Sequence, residues 1–229
     1  MSAVKKLNLV SVEDYLAGEL VSPVKHEYLG GVVYAMAGAR NVHNLIASNA
    51  LVALGIRLRG RPCRPYNSDT KIRIRLPNQV RFYYPDVSVI CRPNPQTDSF
   101  QDEPAVVVEV VSRTTRRIDE GEKKDAYLTI PALNAYLIVE QESPAVEVFR
   151  RTDQGFVREV FAGLEATIML SEMEVELPLA GFHAMPGKLG HADAGDASLL
   201  HQASVGFPTF MRPMFRVVSD AEDHGLTLL

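Results

Sequence analysis

Apolar and polar residues alternate most strictly from Lys71 to Leu76. Ile72, Ile74 and Leu76 face one way and Lys71, Arg73 and Arg75 the other, which is the two-residue period of a half-buried strand. The string HEYLGGVVYAMAG predicts two short strands around Gly30 and Gly31, because paired glycines supply the positive φ angles of a tight hairpin. Glu27 lies on the first of them. Phe82 to Ile90 reads as a further strand entered through Pro85, and Ala105 to Val111 as one whose near-continuous valines predict burial on both faces. AYLIV at 135–139 is another strand. Val146 to Arg150 and Phe156 to Phe161, joined by TDQG, read as a hairpin.

Helical spacing is clearest from Asn41 to Leu58, where Val42, Leu45, Ile46, Val52, Ala53 and Ile56 recur mostly at three and four. Ser11, with Asp14 three residues on, predicts a capped helix starting near Val12 and packing at the sheet edge. A charged helix is expected from Ile118 to Thr129, stopped by Pro131. The order of elements gives a mixed α/β domain over residues 1–184 with a C-terminal β-hairpin. Residues 185–229 lack either period and read as an appendage, poorly ordered or loosely docked.

Composition narrows the picture. No apolar run approaches the roughly 18 residues of a membrane span, and the N-terminal segment has no long apolar stretch of the kind a secretory signal needs. A cytoplasmic protein without a membrane partner is expected. Cys63 and Cys91 have no paired metal-ligand spacing and are read as reduced and structural. The net charge of −4 does not favour a nucleic-acid partner globally. Locally, Arg57, Arg59, Arg61, Arg64, Lys71, Arg73, Arg75 and Arg81 face the single acid Asp69. That stretch is either a phosphate-binding surface or a solvated helix end followed by a strand's outer face.

One residue breaks the valine run. Glu109 is a carboxylate in a strand expected to be buried, which is costly unless a cation or several donors stand beside it. Asp86, after Pro85, begins a strand that can lie next to it. Two carboxylates meeting this way either hold a hard divalent cation, with water or phosphate completing its shell, or pair with a nearby arginine or lysine.

FYYPDVSVI, then VVVEVVS, then TRRIDEGEKKDAYLTIPALNAYLIV, in that order and with compatible gaps, resemble the Uma2 or DUF820 family of restriction-endonuclease-like proteins, a branch of the PD-(D/E)XK nuclease superfamily. The resemblance extends from about residue 9 to 183. It implies a restriction-endonuclease-like core, a central mixed sheet flanked by helices, and cleavage of DNA with Mg²⁺ or Mn²⁺. Asp86 and Glu109 fill the two acidic positions of the motif, and the main-chain carbonyl of Val110 is the implied additional ligand. Val111 stands where the motif lysine belongs, and the family pattern supplies a lysine from the following helix, here Lys123. Helical spacing puts Lys123 and Tyr127 on one face. Glu27 matches an early acid that completes some of these sites.

Asp69 and His43 also fall at family-typical positions. They are either supporting groups of the site or a capping residue and a satisfied half-buried histidine. Arg73 and Arg75 are candidate substrate contacts. A homodimer is possible, since nucleases that cut both strands commonly act as symmetric pairs. Two other readings stand beside the endonuclease: a catalytically inactive nuclease-fold module that binds nucleic acid or acts as a scaffold, and a phosphoesterase acting on a small molecule.

Overall fold

The computed structural model describes residues 9–111 and 119–184. Two sheets dominate it. The smaller has the order β2-β1-β5-β4-β7, built from β1 (His26–Leu29), β2 (Val32–Ala35), β4 (Lys71–Leu76), β5 (Gln79–Tyr83) and β7 (Phe100–Gln101). The larger has the order β11-β10-β9-β8-β6-β3, from β3 (Arg64–Asn67), β6 (Val87–Ile90), β8 (Pro104–Val111), β9 (Ala135–Glu140), β10 (Ala145–Thr152) and β11 (Gly155–Ala162). β8 and β9 run parallel while the other pairs of this sheet are antiparallel, so the sheet is mixed as expected.

The valine strand is buried along its whole length because both faces are covered. Val106, Val108 and Val110 pack with Ile46, Ala50 and Leu54 of helix α2 (Asn41–Arg57). Val107 and Val111 turn the other way, toward Ile72, Ile74 and Tyr83 of the smaller sheet. Strand alternation therefore puts Glu109 on the face that looks between the two sheets.

Helix α1 (Val12–Glu19) forms with Ser11 as its cap, the hydroxyl accepting from the Asp14 N–H. It packs over a sheet face and not at an edge. Its Tyr15 stacks near Tyr28 and Phe82, at ring centroid distances of 5.0 and 5.2 Å. The Gly30–Gly31 hairpin occurs as expected, with φ of 57° and 102°. So does the hairpin of β10 and β11, turned between Thr152 and Gly155. A further antiparallel pair, β12 (Thr167–Leu170) with β13 (Val175–Pro178), was not foreseen.

Other expectations need correction. Phe82 to Ile90 is not one strand: β5 ends at Tyr83, β6 starts at Val87, and the two belong to different sheets. The break falls at Tyr84-Pro85-Asp86, where proline offers no ladder N–H. In place of one helix from Ile118, an irregular turn at Asp119–Lys123, kinked at Gly121, leads into a short helix α3 (Lys124–Leu128). Cys63 and Cys91, read as reduced, are joined in a disulfide. Arg64 pairs with Ile90 in the β3–β6 ladder, so the adjoining residue beyond each is a cysteine, a proximity that a sequence separation of 28 conceals. No helix among the described residues is long and apolar enough to cross a membrane. The appendage expected at 185–229 lies outside the described residues.

Candidate active site

The β6–β8 ladder pairs Val87 with Val108, so one step further along the same register Asp86 stands across from Glu109. The two acids are thus brought together by sheet pairing, not by chain proximity. Asp86 Oδ2 accepts from the Val110 N–H at 2.7 Å and meets His43 Nε2 of α2 at 3.2 Å. No described residue hydrogen-bonds its Oδ1. The Asp86 hydrogen bond is the main influence on His43 and raises it above the usual histidine value, although burial works the other way.

Glu109 is 3% exposed and Lys123 6%. Lys123 Nζ lies 3.0 Å from Glu109 Oε1 and 3.3 Å from Glu27 Oε1. It also sits 5.6 Å from the centroid of the Tyr83 ring. The helical face inferred from sequence holds, since Lys123 and Tyr127 both turn inward while Lys124 lies over Phe149. β1 brings Glu27 into place by the same logic as before: Tyr28 pairs with Phe82, so Glu27 stands across from Tyr83.

The buried carboxylate that the sequence singled out therefore has a cation beside it, Lys123. The donor set still fits a hard metal. Glu109 offers oxygen from β8 and Asp86 from the residue before β6, and Oδ1 of Asp86 has no hydrogen bond to a described residue. No cluster of three or more His, Cys, Asp or Glu among the described residues is arranged to hold a metal. What the chain presents is the sparse two-carboxylate arrangement that Mg²⁺ shares with water and phosphate, with Val110 as main-chain neighbour.

Three candidate residues go elsewhere. Asp69 pairs with Lys25 and Asn67 in the turn before β4. Arg73 donates through Nε and Nη2 to the two oxygens of Asp102, both at 2.8 Å, and lies over the Phe100 ring. Arg75 reaches the same carboxylate at 3.5 Å. Burial alone would raise the Asp102 carboxyl, but the Arg73 fork, Asn94 and the two arginine charges outweigh it and hold the group below its ordinary 3.8. A depressed folded-state value stabilises the fold above that pH and loses its contribution as pH falls through it. Asp102→Asn is accordingly expected to cost about 1–2 kcal/mol at pH 7, with the gap to wild type closing below pH 3.8. Urea midpoints at pH 7, 5 and 3 measure this, and a gap that stays constant refutes it.

Sequence reading missed a polar network beside the site. Lys71, expected on an exposed face, is 5% exposed and donates to the Tyr84 hydroxyl at 3.2 Å. That hydroxyl donates to Glu19 at 2.7 Å, and Glu19 also holds the ring and N–H of His26. Burial pushes Lys71 down and Tyr84 well up. The network fixes Tyr84, two residues before Asp86. The one signal in the sequence was a lysine at the end of an alternating strand, which ordinarily marks solvent.

The family model Uma2, described as "Putative restriction endonuclease", matches residues 12–180. The uncharacterized protein slr1290 of Synechocystis is 36% identical over 147 residues, 64% of this chain and 76% of its own. A second Synechocystis protein, the uncharacterized sll1609, is 28% identical over 179 residues, 76% of this chain and all of its own. In fold the chain is similar to a crystal structure of a "putative nuclease belonging to DUF820" from Anabaena variabilis. The TM-score is 0.60 at 15% identity, over 76% of this chain and 98% of that one. The chain belongs to the Uma2 family.

Proposed function

We propose that this Uma2-family chain is an endonuclease that hydrolyses DNA with Mg²⁺ or Mn²⁺, and that Asp86, Glu109 and the main-chain carbonyl of Val110 hold the metal. The observation that carries the reading is the placement of Asp86 opposite Glu109 with the Lys123 ammonium 3.0 Å from the latter. The family's description as a restriction endonuclease favours DNA as substrate. A divalent cation held there supplies a Lewis acid for the phosphodiester and lowers the pKa of a bound water.

The chain's own residues do the rest. Lys123 brings a fixed positive charge to the buried carboxylates, where it neutralises charge developing on the phosphate and orients the attacking water. Glu27 holds Lys123 from the opposite sheet, so the ammonium is positioned before substrate arrives. His43 and the Val110 N–H both grip Oδ2 of Asp86, which fixes the carboxylate and leaves Oδ1 for a ligand. Cutting both strands of a duplex would take two copies related by a twofold axis.

Cleavage of supercoiled plasmid and single-stranded DNA in Mg²⁺ or Mn²⁺ tests the reading, with Asp86→Ala and Glu109→Ala purified separately. Wild type is expected to nick and both variants to lose at least about 100-fold, the order of effect of removing a transition-state charge partner. Metal binding by wild type with no cleavage of either DNA would instead favour a binding module that has lost turnover.

A further inference from the structure

We propose that Arg81 is a phosphate-binding residue of this site, kept in reserve by Glu122, and that its ligand is a backbone phosphodiester of the bound nucleic-acid strand. The inference rests on the nuclease reading and names the part of the substrate that a second cation grips. Arg81 pairs with Leu29 and Ile74 in the smaller sheet and lies two residues from Tyr83, so it shares Tyr83's face. That is the face toward Lys123. Arg81 Nη1 donates to the Tyr83 hydroxyl at 3.2 Å, while Lys123 Nζ sits over the same ring. One tyrosine therefore separates the two cations.

Arg81 is 8% exposed, and a guanidinium so buried normally has its donors met. Its Nε is buried with no hydrogen-bond partner. Three other arginines show what this protein does with the same edge of the group. Arg73 on Asp102, Arg150 on Glu159 and Arg158 on Glu147 each place both Nε and Nη2 on the two oxygens of one carboxylate. Among the described residues Arg81 has one ion-pair contact on that edge, Glu122 Oε1 at 2.7 Å from Nη2. Two oxygens of a phosphodiester match the Nε–Nη2 edge as a fork, and Glu122 satisfies only half of it.

Glu122 suits a place-holder. Its side chain is 63% exposed, so it can return to water at little cost when a phosphate takes the guanidinium. It is also the residue before Lys123, on the turn kinked at Gly121. A purely structural ion pair predicts that losing either partner has the same sign of effect. A reserved phosphate site predicts opposite signs.

The test uses the full chain with a fluorescein-labelled oligonucleotide. Affinity is read as Kd in EDTA and as KM for cleavage in Mg²⁺. Glu122→Gln is expected to tighten binding about 3- to 10-fold, since one competing acceptor charge is removed. Arg81→Met is expected to weaken it at least about 10-fold and to lower the slope of log Kd against log salt by about one phosphate contact. Arg81→Lys keeps the slope but loses affinity, because the fork is gone. Thermal unfolding checks that the Arg81 variants fold, and the exposed Glu122→Gln arm decides the matter if they do not. Weakened or unchanged binding in Glu122→Gln overturns the proposal, and the nuclease reading survives if wild type still cleaves. A wild type that neither binds nor cleaves overturns both.

Discussion

Replacing Lys123 with methionine is expected to cost about 3–5 kcal/mol of folding stability at pH 7 and to abolish turnover. The stability figure follows from what methionine leaves behind. Glu109, 3% exposed, would remain in a strand of valines with its 3.0 Å ammonium partner gone, and breaking a buried pair from one side costs this much. Methionine keeps the volume, so the effect is of charge and not of a cavity. The control is the double variant Lys123→Met with Glu109→Gln. With Glu109 neutral, only the more exposed Glu27 is left without its Lys123 contact, so most of the lost stability is expected to return while activity does not. Urea unfolding measures the first effect and plasmid nicking the second. Metal affinity, by calorimetry, is expected to change little in Lys123→Met because the oxygen donors remain. A stability loss below about 1 kcal/mol would mean that the Lys123–Glu109 pair is screened and adds little to the fold.

Phe182→Ala is the other large effect, about 3–5 kcal/mol, and it separates the scaffold from the chemistry. Phe182 is fully buried and belongs to the cluster formed by α2 and the even-numbered valines of β8. Its main-chain oxygen accepts from Asn49 Nδ2 at 2.9 Å, which locks the end of the described domain onto α2. Truncation leaves a large cavity on the face of the larger sheet away from Glu109. Protein that remains folded at low temperature is therefore expected to keep its turnover per folded molecule, and Phe182→Leu to recover most of the stability. A turnover loss matching that of Lys123→Met would show that the two faces of the sheet are coupled.

Much of this arrangement could be read from local pattern. Alternation located β4, the paired glycines located the first hairpin, and the three-four spacing placed α2 to within a residue, although Val52 and Ile56 of that spacing are exposed and Ile46, Ala50 and Leu54 form the buried face. Glu109 was legible as an anomaly because a single carboxylate in PAVVVEVV conflicts with everything around it. What escaped was pairing. β3 and β7 are four and two residues long, β3 contains a proline, and neither carries a period strong enough to see. The disulfide and the placement of Glu27 depend on which strands become neighbours, information held by the whole fold. Arg73, on the polar side of an alternating strand, looked like a surface contact, but Asp102, 29 residues away, had already claimed it. Lys71 looked solvated for the same reason and proved to be the buried donor to Tyr84.

The run from Gln79 to Ile90 serves both sheets, leaving one at Tyr83 and joining the other at Val87. Only Tyr84, Pro85 and Asp86 lie between, the middle one with its φ locked by a ring and the first tied to Glu19 and Lys71. This linkage is too short and too stiff to absorb any sliding of one sheet over the other, so such sliding would be delivered directly to Asp86. The distance between the two key carboxylates thus acts as a gauge of how the halves of the molecule are seated. A shift in how the sheets seat would reach Asp86 and the proposed metal site with no change in the residues that form it.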